Sequence, residues 1–254
     1  EDLALKLAAD PEIKTVHERA KLSLVEPVKE ETATKAPQGI EWGIDFINAP
    51  EAWEQGATGA GIVVSSVDSG TDYTHPALVN QYRGNNGDGT FTHDYNWYDA
   101  YGDCSSGPCD LDGHGTHTMG TITGDDGAGN QIGVAPDAEW IETNGCCGSD
   151  AGLLESGWWL LEPTDASGEN PDVAKRPHVI NNSWGWNGVG YIDSFFDDVN
   201  AAWNAAGQFS SWASGNPGSM CQGTSSPGAN VLTYSVGAVD SAGAVASFSG
   251  RGSG

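Results

Sequence analysis

The sequence predicts an α/β fold in which strands and helices alternate around a parallel sheet. Two observations predict it. Short apolar runs of strand length, Ile62 to Val67, Trp140 to Thr143, His178 to Asn181, Phe209 to Ala213 and Val231 to Val236, are bounded by Gly-rich turns. Stretches with helical spacing, Ala49 to Gln55, Gly115 to Ile122, Leu153 to Leu161 and Ile192 to Ala206, are interspersed with them. No internal repeat is visible, and 254 residues suffice for one main domain with a sizeable core.

Residues 1–38 differ from the rest. They are rich in Lys and Glu, lack Trp and Gly, and end in Glu-Glu-Thr-Ala-Thr-Lys-Ala-Pro, which reads as an exposed linker. Before that linker, Leu3 to Ala9 has helical character, Asp10-Pro11 breaks it, and Ile13 to Val25 contains strand-like alternation. The main domain is expected from 39 to 254. The chain begins without Met or a signal peptide, so its start reads as trimmed.

Thirty-five acidic residues against ten basic ones give a net charge of -25, which repels nucleic acid and anionic membrane surfaces. A well-solvated surface, adaptation to high salt and a cationic substrate would each account for it. No apolar run reaches the roughly 18 to 20 residues that cross a bilayer. Cys104 and Cys109 bracket a short Ser-Ser-Gly-Pro loop that a disulfide could close, two reduced surface thiols being the alternative. Cys146 and Cys147 are adjacent, leaving Cys221 to pair with one of them or stay free.

In open parallel sheets, reactive groups collect beyond the carboxyl ends of the strands. Three motifs fall there. Val-Val-Ser-Ser-Val-Asp68 delivers a carboxylate into a turn that Gly70 permits. Asp112-Gly-His114-Gly-Thr-His117 surrounds an imidazole with small residues at a helix start, where His114 could act as a general base if a carboxylate fixed its tautomer. Ser211-Trp-Ala-Ser-Gly-Asn216 ends another strand on an amide that could hold an oxyanion. Alone, the Asp and the Asn each read as turn residues.

Taken together and in this order, the segments from about Trp42 to Ser249 resemble the subtilisin-like serine proteases, and the continuation of Gly185 into Trp-Asn-Gly-Val-Gly, with the abundance of Trp in the chain, resembles the bacillopeptidase F branch. The resemblance implies a doubly wound parallel sheet with helices on both faces. It implies that Asp68 and His114 are catalytic and that Asn216 is the oxyanion-hole amide. Asn182, Ser183, Trp184 and Gly185 would lie on the strand that pairs with an extended substrate, and Ala213, Ser214 and Gly215 on the facing wall. Ala8 to Val16 looks like the end of an inhibitory propeptide, with cleavage expected near residues 30 to 40. The partners implied are protein or peptide substrates and the chain's own propeptide, in a secreted monomer. The chemistry requires no cofactor; structural calcium is an option, for which Asn85 to Asp88 and Asp125 to Asn130 offer oxygens, exposed turns being the alternative.

One departure matters. The family's nucleophile lies in a Gly-Thr-Ser-Met-Ala-x-Pro segment opening a buried helix. Gly223-Thr-Ser-Ser-Pro227 precedes the strand from Val231 and lacks that continuation, so Ser225 reads as a loop residue. The nucleophilic Ser is expected after residue 254, the fold is expected to be truncated at its C-terminus, and this polypeptide alone is expected to be inactive. A pseudoprotease or binding module is the alternative. A metal-dependent hydrolase using Asp68, Asp112, His114 and His117 is a remoter one.

Overall fold

The computed structural model describes residues 2–13, 21–28, 39–186 and 188–252. The elements in chain order are α1 (Asp2–Ala8), β1 (Leu22–Leu24), β2 (Gly39–Ile40), α2 (Trp42–Phe46), α3 (Ala49–Glu54), β3 (Val63–Asp68), β4 (Trp97–Asp99) and α4 (His114–Thr123). Then follow β5 (Asn130–Gln131), β6 (Glu139–Trp140), β7 (Glu142–Asn144), α5 (Asp150–Trp159), β8 (Val179–Asn182), β9 (Trp184–Trp186), α6 (Asp197–Ala205), β10 (Phe209–Ala213) and β11 (Tyr234–Val236). The expected linker and most of the expected cleavage stretch, 30 to 40, lie outside the described residues.

The main sheet runs β11-β10-β8-β3-β7-β4, with β6 also on β3, and every pairing in it is parallel. Strand β3, Val-Val-Ser-Ser-Val-Asp, is central and buried throughout, which is why it does not alternate apolar with exposed polar residues. Its side chains nevertheless alternate between two layers. Val63 and Val67 join a core with Ile141, Leu153, Trp203 and Trp212 on the side of α5 and α6. Val64 joins Leu78, Tyr82, Met119 and Trp140 on the side of α4. Helices therefore cover both faces, as the doubly wound class requires.

Several boundaries differ from the sequence reading: the strand expected from Trp140 to Thr143 is divided into β6 and β7, and three others have local causes. Helix α5 starts at Asp150 because Ser149 caps it, its Oγ accepting from Gly152 N at 3.0 Å. Helix α6 starts only at Asp197, since Asp193 turns the preceding chain by accepting from Phe195 N at 2.7 Å. The expected strand from Val231 shrinks to β11: Val231 is fully exposed, and Thr233 Oγ1 donates to Asn230 O at 2.7 Å, closing a turn.

The N-terminal part supplies α1, at the position expected of it, and β1, which pairs antiparallel with β9 in the register Leu22↔Trp186, Ser23↔Gly185, Leu24↔Trp184. Leu22 and Leu24 are half-buried against the α5/α6-side core.

Candidate active site

Position 68 is the last residue of β3, and residues 66 and 68 share its α4-side face by the period of two. The chain then turns at Gly70, whose φ of 93° is left-handed, and a Cβ there would run into Cys109 O. Helix α4 begins at His114 beside this turn. A Cβ on its second residue, Gly115, would run into Gly70 O and lie 3.1 Å from Asp68 Oδ1. Small residues around the His are thus needed so that helix and strand end can touch.

That approach brings the imidazole onto the carboxylate: His114 Nδ1 and Asp68 Oδ1 are 2.7 Å apart, with both side chains buried. Asp68 Oδ1 also accepts from Ser69 N at 2.7 Å. Ser69 Oγ accepts from Gly115 N at 3.0 Å and donates to Asp110 Oδ1 at 2.9 Å, tying the turn to the helix start. An imidazole held through Nδ1 keeps Nε2 free to exchange a proton.

Nε2 is turned to the N-terminal segment, 3.1 Å from Val25 O. Val25 N donates to Ser183 O at 2.8 Å, and Asn216 Nδ2 donates to Glu26 O at 2.9 Å. The imidazole and the amide therefore contact consecutive carbonyls of one extended chain, although 190 residues separate Glu26 from Asn216. Burial lowers the proton affinity of His114; its hydrogen bond to Asp68, the charge of Asp68, the Val25 carbonyl and the Glu26 charge outweigh that and raise its pKa from 6.5 to about 9.

The remaining sequence-predicted residues divide by what their side chains do. Gly185 pairs with Ser23 of β1, and Ser183 O accepts from Val25 N just after it. Trp184 does so by backbone alone, because its ring is fully buried against Phe196 and Trp212. Asn182 is buried, with Nδ2 donating to Ser211 O at 3.3 Å, so its side chain braces β8 on β10. Ala213 lines a cavity of about 310 Å³ with Val25, Pro27, His114 and His117. Ser214 lines a second cavity, of about 520 Å³, and Gly215 O accepts from Gly250 N at 2.8 Å.

Ser225 is a loop residue here too: its Oγ donates to Gly188 O at 2.9 Å and accepts from Tyr191 N at 3.3 Å. Cys104 and Cys109 form a disulfide. Cys146 and Cys147 are joined to each other and Cys221 is an exposed free thiol, which resolves the pairing that composition left open. No group of three His, Cys, Asp or Glu side chains among the described residues converges as metal ligands, and the set Asp68, Asp112, His114 and His117 is no exception. In the two acidic loops, Asp88 accepts from Thr90 N at 2.9 Å and Asp126 from Ala128 N at 2.7 Å, as self-contained turns do. Among the described residues no helix is long and apolar enough to cross a membrane.

Two features escaped sequence reasoning. The first is that Leu22 to Val28 enters the cleft, for which strand-like alternation was the only local signal. The second is Glu142, a carboxyl buried in β7. It accepts from Thr143 N at 2.9 Å, and its oxygens lie within hydrogen-bonding distance of two hydroxyls, Ser66 Oγ at 2.9 and 2.8 Å and Thr71 Oγ1 at 3.1 Å. Burial, followed by the Asp68 charge, pushes it well above the ordinary carboxyl range. An acidic residue inside the apolar run Trp-Ile-Glu-Thr was the signal available.

The family model described as "Subtilase family" matches residues 59–254. Bacillopeptidase F of Bacillus subtilis (strain 168) is 42% identical over 212 residues, covering 81% of this chain and 14% of that protein. The major intracellular serine protease of the same strain is 34% identical over 144 residues, covering 56% of this chain and 40% of that protein. Subtilisin amylosacchariticus, from Bacillus subtilis subsp. amylosacchariticus, is 31% identical over 252 residues, covering 97% of this chain and 59% of that protein. The chain spans less than two thirds of the length of each of these relatives. The family match begins just before β3 and takes in the strand ends that carry Asp68 and Asn216 and the helix start that carries His114, so the chain belongs to the subtilase family.

Proposed function

We propose that this chain is the larger part of the catalytic unit of a secreted serine endopeptidase, with Asp68 and His114 as two members of its triad. The observation that carries this is the 2.7 Å contact between Asp68 Oδ1 and His114 Nδ1, with Nε2 directed at a peptide carbonyl. The proposed nucleophile is a serine C-terminal to residue 254; Ser225 is committed to Gly188 and Tyr191.

The substrate class is an extended polypeptide that adds an antiparallel strand to β9, as β1 does. The serine Oγ attacks the carbonyl carbon, its proton passes to His114 Nε2, and Asp68 steadies the resulting imidazolium through Nδ1. Asn216 Nδ2 stabilises the oxyanion, a contribution of about 3 to 4 kcal/mol to the barrier in such sites. His114 then returns the proton to the leaving amine, and water releases the acyl group by the same steps.

Residues 22–28 are proposed as the inhibitory strand of the chain's own propeptide. The Glu26 carbonyl lies at Asn216, the proposed oxyanion amide, which favours a maturation cut at Glu26–Pro27 over one at 30 to 40. Secretion is supported by the Cys104–Cys109 disulfide, a bond that persists in oxidising compartments.

The deciding experiment expresses the complete gene product and its His114→Ala variant. Casein hydrolysis and labelling by a fluorophosphonate are expected for the first and lost in the second. Undiminished hydrolysis by the variant would remove His114 from the mechanism, and a complete product that neither cleaves nor labels would be a pseudoprotease.

A further inference from the structure

We infer that Glu142 is a positioning residue for the Asp68–His114 pair: a neutral carboxylic acid that clamps the backbone on both sides of Asp68 and leaves Asp68 the single anion facing the imidazole. The inference rests on the reading of Asp68 and His114 as a catalytic pair. It concerns how the carboxylate is held there.

The geometry is specific. Ser66 precedes Asp68 on β3 by one pleat, and Thr71 follows it across the Gly70 turn. The Glu142 carboxyl, reaching from β7, meets both hydroxyls: Ser66 Oγ at 2.9 and 2.8 Å and Thr71 Oγ1 at 3.1 Å. Residues 142 and 144 of β7 point to the same face as 66 and 68 of β3, by the parallel register Val67↔Thr143 and Asp68↔Asn144. Strand position alone therefore puts two carboxyl groups side by side in a buried layer.

Two such groups do not both ionise away from water; one keeps its proton. Asp68 has the imidazole as a counterion, whereas Glu142 has only hydroxyls and one backbone N–H. The proton therefore belongs to Glu142. As a neutral acid its Oε1 accepts from Thr143 N–H and the Ser66 hydroxyl, while Oε2–H donates to the Thr71 hydroxyl, since a hydroxyl accepts as readily as it donates. The same pattern suits an amide, but not an alanine. Other acidic groups nearby are engaged elsewhere: Asp99 on β4 accepts from Cys104 N at 2.7 Å and Asn144 Nδ2 at 2.9 Å, and Asp110 accepts from Ser69 Oγ at 2.9 Å.

The test is an NMR titration of the His114 imidazole in the 254-residue chain, as wild type, Glu142→Gln and Glu142→Ala, with Asp68→Asn as reference. Glu142→Gln is expected to leave the His114 pKa unchanged, because a neutral group replaces a neutral group. Glu142→Ala is expected to lower it by about one unit or more as the released turn lets Asp68 move off the ring. A Glu142→Gln variant in which the pKa falls would overturn the inference, since Glu142 would then be an anion contributing to the field. So would a folded Glu142→Ala variant with the wild-type pKa. If Glu142→Ala does not fold, the ¹³C shift of the Glu142 carboxyl at pH 7 decides: a protonated shift supports the assignment and an ionised one defeats it. Asp68→Asn separates the two readings, because a His114 pKa that ignores Asp68 would refute the pair itself.

Discussion

The carbonyl oxygen of Val25 lies 3.1 Å from His114 Nε2, on the ring nitrogen opposite the one held by Asp68. The segment that blocks the imidazole thus also raises its proton affinity, together with the adjacent Glu26 charge. Leu22 and Leu24 anchor that segment on the core. Replacing both by Asp in the intact chain should cost the docked state about 2 kcal/mol or more. The His114 pKa should then fall from about 9 by the smaller share that Val25 and Glu26 add to the larger effect of Asp68, and the Val25 amide should exchange faster by about 30-fold. NMR titration and hydrogen exchange check both; an unmoved pKa would mean that the strand adds nothing to what Asp68 supplies.

Stability should fall on the alkaline side. His114 is raised from 6.5 to about 9 in the folded state, so its contribution is complete below 6.5 and disappears as pH climbs through 9. Glu142 has the same sign: its raised carboxyl favours the fold while protonated and opposes it once ionised. Urea midpoints at pH 6, 7.5 and 9.5 should decrease in that order, and Asp68→Asn should flatten the step between 6.5 and 9. A midpoint rising with pH across this window would contradict both assignments.

Gly115 and Gly120 sit in the same helix with opposite expectations. A Cβ at 115 would strike Gly70 O and crowd Asp68 Oδ1, whereas one at 120 would meet nothing within 4 Å. Gly115→Ala should cost about 1 to 3 kcal/mol and lower the His114 pKa, and Gly120→Ala should gain about 0.5 to 1 kcal/mol. Equal effects in a denaturation comparison would refute the close approach of helix and turn.

The Cys104–Cys109 bond closes a short loop that ends next to Asp110, the acceptor of Ser69 Oγ and of Thr116 N. Changing both cysteines to Ser should remove about 2 kcal/mol, the loop-closure value for so short a ring. Urea unfolding measures it. A loss near zero would show that Asp110 and its partners hold the loop unaided.

Much of the site was legible because it sits at element ends with their own local chemistry. Asp68 closes an apolar run before a Gly turn, His114 opens a helix among small residues, and Asn216 follows a strand in a Gly-flanked loop. Alone, Asp68 and Asn216 read as turn residues; it was the order of all three motifs, and the family it resembles, that marked them as a site. Helix starts were less legible, since α5 and α6 are set by side-chain caps and turns at Ser149 and Asp193. These compete with apolar periodicity and are invisible to it.

What the sequence determined by itself is the main parallel strands and the longer helices, with Asp68, His114 and Asn216 at their ends; the roles of those three side chains came from the order of their motifs, through its resemblance to a family. The strands and helices depend on period, turn residues and spacing, all properties of neighbouring residues. Only the tertiary structure decided that Leu22 to Val28 lies across His114 and Asn216, that Cys146 bonds to Cys147, that the Trp184 ring points inward, and that Glu142 sits behind Asp68. The physical reason is that each of these relations except the Cys146–Cys147 bond joins groups far apart in the chain through sheet register and layer packing.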